Sequence, residues 1–268
     1  MSARTSIEWT EMTWNPVTGC TKVSQGCKNC YAERMAKRLH AMGVWQYRRG
    51  FKVTLAPEVL EEPFTWRKSR LVFVNSMSDL FHEDVPHTYI QAVFRTMNAT
   101  PQHTYQILTK RPQRLLALSA QLQWTANVWL GVSVENQQAT SRIPYLARTG
   151  AKLKFLSVEP LISPITTLPL EGIHWVIVGG ESGPRARPMR KEWVEAIQQA
   201  CSCRGIPFFF KQWGKRQFNA DQGDPTINKN HAQHAKGGCQ LNGSIYREVP
   251  RTAQPAHTAS RRFASSKP

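Results

Sequence analysis

No stretch of 18 apolar residues occurs in this 268-residue chain, which excludes a membrane-spanning helix of ordinary length. The opening Met-Ser-Ala-Arg-Thr-Ser-Ile-Glu lacks the apolar core of a secretory signal, so the expected compartment is the cytoplasm. Acidic residues are scarce: 18 Asp and Glu stand against 35 Lys and Arg, a formal charge of +17. Cysteine is scarce too, with six in all, yet Cys20, Cys27 and Cys30 crowd into one short stretch. In a reducing compartment such a set is not a disulfide framework, and clustered thiols read as metal ligands or catalytic groups.

The charge attracts polyanions, of which nucleic acid is the commonest inside cells. A generally basic, soluble surface is the plain alternative. Basic clusters occur at Lys37-Arg38, Arg48-Arg49, Arg67-Lys68 with Arg70, Lys110-Arg111, and Arg185 with Arg187, Arg190 and Lys191. Trp45, Tyr47, Phe51 and Trp66 accompany several of them, and rings among cations stack on unpaired bases. The expected nucleic-acid contacts are Arg48, Arg49, Lys110, Arg111, Arg185 and Arg187.

Strand candidates are Leu71–Asn75, Thr104–Leu108, Val128–Val134, Leu153–Val158, His174–Val178 and Pro207–Lys211, with a further one near Glu8–Asn15. Helix candidates between them are Cys30–Met42, Thr88–Asn98, Pro112–Gln121, Gln137–Arg148 and Lys191–Cys203. Pro86 and Pro112 stand where helices start, and Gly150 and Gly205 where they stop. Strands alternating with such helices indicate parallel βαβ units. An α/β fold of six or seven strands follows, best an open or partial (β/α) barrel, with a doubly wound sheet as the competitor. Residues 1–213 form the expected barrel and 214–251 an irregular extension that packs back on it. From 252 to 268 Ala, Ser, Pro and Arg dominate, which reads as a disordered tail.

Three strand candidates end alike, in Ser133-Val134-Glu135-Asn136, Ser157-Val158-Glu159-Pro160 and Gly179-Gly180-Glu181-Ser182-Gly183, so a carboxylate recurs after 24 and then 22 residues. Asn75-Ser76-Met77-Ser78-Asp79 and Thr109-Lys110-Arg111 end two earlier strands in polar groups. In parallel α/β folds the carboxyl ends of the strands form the active-site rim. Asp79, Lys110, Glu135, Glu159 and Glu181 are therefore expected at one mouth, with the cysteine loop. Each acid taken singly would read as a helix cap or a solvated loop residue. His82 and His87 read as exposed loop histidines sooner than as acid–base groups.

The cysteines lie in Thr-Gly-Cys-Thr-Lys-Val-Ser-Gln-Gly-Cys-Lys-Asn-Cys-Tyr-Ala, a C-x6-C-x2-C pattern. Three thiolates can hold three irons of a [4Fe–4S] cluster and leave the fourth iron open to substrate or cofactor. Gly19 and Gly26 suit a loop that wraps a bulky group. Zinc would need a fourth ligand; His40 lies about 15 Å from Cys30 along a helix, at roughly 1.5 Å per residue. Cys201, Cys203 and Cys239 could serve zinc from a distance, although Cys201 and Cys203 read as structural. Three independent thiols are the remaining reading.

The block Trp14-Asn15-Pro16-Val17-Thr18-Gly19-Cys20 through Cys27-Lys28-Asn29-Cys30-Tyr31-Ala32 resembles a phage-associated three-cysteine protein family of unassigned activity. So do Asn75–Phe81, Leu108–Pro112, Gly131–Asn136, Ser157–Leu161, Val178–Gly183, Phe210–Gly214 and Leu241–Pro250, a likeness that runs from Trp9 to about Pro250. That family in turn resembles the radical S-adenosylmethionine superfamily, whose usual spacing is C-x3-C-x2-C. Here six residues separate the first two cysteines, Asn29 replaces the usual aromatic, and Tyr31 follows the last cysteine, as in spore photoproduct lyase.

The resemblance implies a partial (β/α)6-type TIM barrel carrying a [4Fe–4S] cluster on Cys20, Cys27 and Cys30. It implies S-adenosylmethionine as cofactor, cleaved to a 5′-deoxyadenosyl radical. Ser76, Ser78 and Asp79 would bind its amino group, Lys110 its carboxylate, and Ser133 and Glu135 its ribose. Tyr31, Glu159 and Glu181 are the candidate catalytic residues. The expected substrate is nucleic acid, DNA ahead of RNA, through lesion repair or base modification, with an electron donor such as flavodoxin or ferredoxin. The alternatives are a zinc- or cluster-stabilised nucleic-acid-binding protein without catalysis, and a radical enzyme for a small molecule or peptide.

Overall fold

Runs of β-branched and aromatic residues form the strands, because such side chains pack well on a pleated surface. The structure, a computed structural model, describes residues 2–221 and 223–251. In chain order its elements are β1 (Ser2–Arg4), β2 (Met12–Trp14), β3 (Val17–Thr18), α1 (Tyr31–Ala41), β4 (Thr54–Leu55), β5 (Leu71–Val74), α2 (His87–Ala99), β6 (Thr104–Thr109) and α3 (Pro112–Ser119). There follow β7 (Val128–Ser133), α4 (Ile143–Ala147), β8 (Leu153–Val158), β9 (Trp175–Gly179), α5 (Lys191–Ser202), β10 (Phe208–Gln212), β11 (Gln240–Leu241) and β12 (Ser244–Ile245). The expectation of a disordered tail concerns residues outside those described.

One eight-stranded sheet runs β1-β2-β5-β6-β7-β8-β9-β10. Every pair from β2 to β10 is parallel, and β1 adds antiparallel to β2 at the edge. The seven parallel strands follow one another in chain order, whereas a doubly wound sheet reverses direction at a switch point. The partial barrel is therefore the observed architecture, and the doubly wound alternative falls. Curvature can be read from Trp9, whose ring lies 4.7 Å from Phe73 of β5 and 6.5 Å from Trp175 of β9. Four strands apart in a flat sheet, those residues would stand roughly 19 Å from each other. The sheet curls around Trp9.

Alternation along the strands divides two cores. Outward Val72, Ile107, Leu130, Leu156, Val176 and Phe210 meet the helices. Inward Phe73, Trp129, Phe155, Trp175, Ile177 and Phe209 fill the concave side with Trp9. The Phe155 ring occupies space that Gly131 leaves open: a Cβ there would stand 2.5 Å from a ring carbon. Gly131→Ala is expected to destabilise by about 1–3 kcal/mol through overpacking. Thermal melting checks this, and Phe155→Leu in the same chain should recover part of the loss; an unchanged melting point for the single variant would contradict it.

Two expected elements come out differently. The helix expected over 137–148 divides into a 3-10 turn, Gln138–Arg142, and the five-residue α4. Pro144 has no N–H to continue a helical ladder from the preceding turn, so a fresh start is required there. The first parallel strand shrinks to Met12–Trp14, because a turn from Ile7 to Thr10 sends Trp9 into the concave core.

The chain after β10 returns to the sheet. Phe209 bridges Arg247, Trp175 Nε1 donates to the Glu248 carbonyl at 2.9 Å, and Trp213 Nε1 donates to the Gln240 carbonyl at 2.9 Å. Lys236 Nζ lies 2.5 Å from Glu8 Oε1, and Gln233 donates to the same oxygen at 2.9 Å. The N-terminal segment and the extension therefore meet beside the concave face. Among the described residues no helix is long and apolar enough to cross a membrane.

Candidate active site at the barrel mouth

The carboxyl ends of the parallel strands open on a cavity of about 650 Å³. Asn15, Ser76, Lys110, Ser133, Glu159 and Lys211 lie on its wall, as do Cys27 and Cys30. Beside it is a smaller cavity of about 140 Å³ lined by Cys20, Cys27 and Cys30 together with Ser76, Ser78 and Lys110. The structure thus brings the three thiols to one hollow at the rim.

The loop that carries them is held from several sides. At its start Gly19 takes φ +81°, and a Cβ would stand 2.3 Å from the Lys52 carbonyl oxygen, so no larger residue fits. Gly19 N donates to the Met77 carbonyl at 3.0 Å and Cys20 N to the Phe51 carbonyl at 3.1 Å. Arg111 donates to Thr21 Oγ1 at 2.8 Å and to its carbonyl at 3.2 Å, while His82 Nε2 sits 2.9 Å from the same hydroxyl. Further along, Gly26 N donates to Glu135 Oε1 at 3.4 Å, and Asn29 Nδ2 to Glu181 Oε2 at 2.9 Å. Arg187 Nη2 closes the set on the Gln25 carbonyl at 3.0 Å.

These contacts revise several expected roles. Glu135 is 1% exposed and lines neither cavity; Arg142 pairs with both its oxygens, at 2.6 and 3.2 Å. It supports the cysteine loop through the Gly26 N–H. Glu181 lies on the large cavity, but its oxygens are taken by Arg187 at 2.6 and 2.9 Å and by Asn29. Asp79 lines the smaller cavity, and its carboxylate accepts from Thr109 Oγ1, Phe81 N and Lys110 N. Arg111 is buried and pairs with Glu83, so it is not a surface contact for a polyanion. Arg187 serves Glu181 first. His82 is buried on Thr21, not exposed.

Other expected residues keep accessible positions. Ser76 lines both cavities and donates to Asn15 Oδ1 at 3.1 Å, and Ser78 Oγ donates to the Val17 carbonyl at 2.8 Å. Lys110 Nζ donates to Ser133 Oγ at 3.1 Å. Glu159 pairs with Lys211 at 2.6 Å on the cavity wall. Tyr31 donates from its hydroxyl to the Ser76 carbonyl, with its ring exposed at the mouth. Arg48, Arg49 and Arg185 are exposed, and the Arg48 guanidinium lies 3.5 Å over the ring of exposed Trp45.

Electrostatics separates the thiols. Burial works to raise the Cys27 thiol, but the Lys110 charge and backbone hydrogen bonds at Val23 and Ser24 leave it below its ordinary value. Cys20 is pushed up to about 11 by burial and by Asp79, against the pull of Arg111. Metal binding removes such protons and is correspondingly favoured as pH rises. A set of three soft sulfur donors with a neighbouring cation suits iron–sulfur chemistry and fits the cluster in kind. Among the described residues no three His, Cys, Asp or Glu side chains converge as one metal ion would require.

Burial works against ionised Glu135 and Glu181, yet Arg142 and Arg187 hold both carboxyls below the usual range. A depressed folded pKa means stability that is whole above the unfolded value, roughly 4.3, and lost as pH falls further. The melting temperature is expected to drop on acidification below about pH 4.3, and Glu181→Gln to lose less over the same span. Parallel curves for the two proteins would remove Glu181 from that account.

Sequence reasoning missed Asn29 as a tether, Arg142 and Lys211. Only Lys211 carried a local signal, a cation directly after the apolar run Phe208-Phe209-Phe210 within one strand. Arg142 and Asn29 find their carboxylates through the fold, seven residues away in one case and 152 in the other.

Across residues 4–250 the chain matches the family described as Protein of unknown function (DUF5131). No curated protein matches it. Two solved structures are similar to it: a spore photoproduct lyase mutant with bound AdoMet and dinucleoside spore photoproduct, and spore photoproduct lyase complexed with dinucleoside spore photoproduct. Identities are 13% and 12%, each with a TM-score of 0.43 over 71% of this chain. The chain spans 60% of the length of those structures.

Proposed function

We infer that this chain, which belongs to the DUF5131 family of proteins of unknown function, is a radical S-adenosylmethionine enzyme acting on nucleic acid. The observation that carries the reading is the meeting of Cys20, Cys27 and Cys30 at one hollow on the mouth of a parallel partial barrel, beside a cavity of about 650 Å³. Those three residues would hold a [4Fe–4S] cluster. With S-adenosylmethionine bound, that cluster would supply one electron to split its sulfonium into methionine and a 5′-deoxyadenosyl radical able to take hydrogen from a substrate.

The chain supplies position and charge. Lys110 favours the Cys27 thiolate and offers a cation to a carboxylate in the cavity. Ser76 and Ser133 present hydroxyl oxygens on the same wall, and Ser78 does so in the smaller hollow. The Glu159–Lys211 pair offers an acceptor and a donor to cofactor or substrate, and the Tyr31 ring borders the entrance. The concave aromatic core contributes the apolar surfaces of Trp9 and Phe73 to the cavity wall.

A charge of +17 and exposed Arg48, Arg49 and Arg185 support nucleic acid as substrate, for which DNA is the proposal put ahead of RNA. A base inside a duplex would have to be flipped out or already unpaired to enter the cavity. Lesion repair and base modification are the two reactions this allows, and a protein such as flavodoxin or ferredoxin would supply electrons. Anaerobic purification should give a brown protein. After reduction it should release 5′-deoxyadenosine from S-adenosylmethionine. Incubation with irradiated DNA, undamaged DNA and RNA, read by nucleoside mass spectrometry, identifies the product. A colourless protein with one zinc, or an intact cluster with no release, overturns the reading.

A further inference from the structure

A second hollow, of about 470 Å³, lies on the outer side of the cysteine loop. Its lining carries six cations, Lys22, Lys28, Arg34, Lys37, Arg185 and Arg187, against one carboxylate, Glu33. Glu33 is engaged by Lys22 at 2.9 Å and Lys37 at 3.4 Å, and Arg187 by Glu181. Among the described residues Lys28, Arg34 and Arg185 enter no ion pair. Gly183, at φ +104°, lets the Arg34 guanidinium lie against the backbone where a Cβ would meet it at 2.3 Å. Like charges gathered in a concavity raise its potential and ask for a polyanion.

Asn29 and Cys30 line both this hollow and the large cavity. A phosphate-bearing chain lying in the hollow would therefore have its next nucleotide at the reactive cavity, across one shared wall. A docked protein is a poorer fit. Interface cores are enriched in aromatic residues, whereas this lining has none and offers only Pro184 as an apolar ring.

We propose that the hollow between the cysteine loop, α1 and residues 184–187 grips the sugar–phosphate backbone of the nucleic-acid substrate. The proposal rests on the nucleic-acid reading above and adds Lys22, Lys28, Arg34 and Lys37 to its contacts. Phosphate contacts position a strand without reading its sequence, and each single-strand contact adds about 0.7 to the slope of log affinity against log salt.

The test is fluorescence anisotropy with a labelled single-stranded DNA oligonucleotide of mixed sequence, its RNA counterpart, and AMP as competitor, all without S-adenosylmethionine. Lys28→Ala/Arg185→Ala should weaken strand binding about tenfold and lower the salt slope by about 1.4, two contacts' worth. Arg148→Ala/Lys152→Ala removes the same charge from exposed positions at the opposite end of the barrel, just before β8, and should change affinity less than about twofold. Equal losses in the two pairs would show a diffuse field and overturn the proposal, as would no loss in the first. AMP competing as well as the oligonucleotide would assign the hollow to a free nucleotide. Strand binding unchanged while reduction by an acidic donor protein fails would assign it to that protein. Because binding is read without turnover, loss of 5′-deoxyadenosine release with intact strand binding sinks the radical reading and spares this one.

Discussion

Cys27→Ala is expected to yield a folded protein that holds no iron–sulfur cluster and releases no 5′-deoxyadenosine. Cys27 is only partly buried, and the loop's anchors are elsewhere: Gly19 on Met77, Thr21 on Arg111, Asn29 on Glu181. Removing one sulfur therefore leaves the loop in place and takes away one of three soft donors. Lys110 favours it as thiolate, so its loss removes a donor already inclined to bind metal. Iron and sulfide analysis, visible absorption and nucleoside chromatography on anaerobically prepared protein check the prediction. Full iron content in the variant would remove Cys27 from the ligand set.

Arg142→Ala is expected to destabilise the protein by about 3–5 kcal/mol, because it leaves a buried carboxylate uncompensated. Glu135 is 1% exposed and Arg142 bonds both its oxygens, besides donating to the Ser133 carbonyl at 2.6 Å. Against a net stability of roughly 5–15 kcal/mol, such a loss is a large share. The cysteine loop should loosen as well, since Glu135 receives the Gly26 N–H. Urea unfolding gives the first number, and iron occupancy gives the second. Glu135→Gln added to Arg142→Ala should restore much of the stability, for the orphan charge is gone. A single variant within about 0.5 kcal/mol of the parent would show the pair to be dispensable.

The strands were legible because both faces of a parallel sheet are covered, so Val128–Ser133 and Trp175–Gly179 read as unbroken buried runs. The rim was legible as well: Lys110, Glu159 and Glu181 reach one cavity from the ends of β6, β8 and β9. What the carboxylates do there was not. Glu135 and Glu181 have partners in Arg142, Arg187 and Asn29, set by the fold, and no local pattern foretells such a choice. Asp79 similarly resembled a free acceptor until Thr109 and Lys110 N were found on it. The single helix expected over 137–148 failed for a local reason, Pro144, whose restriction was visible and outweighed by the periodicity around it.

The contact of Lys236 with Glu8 and Ser6 also sets an order of events during synthesis. At ~5–20 residues per second, Glu8 leaves the ribosome roughly 10–45 s before its partner has been made. In that interval the flank of the barrel beside Trp9 is open to solvent and to chaperones.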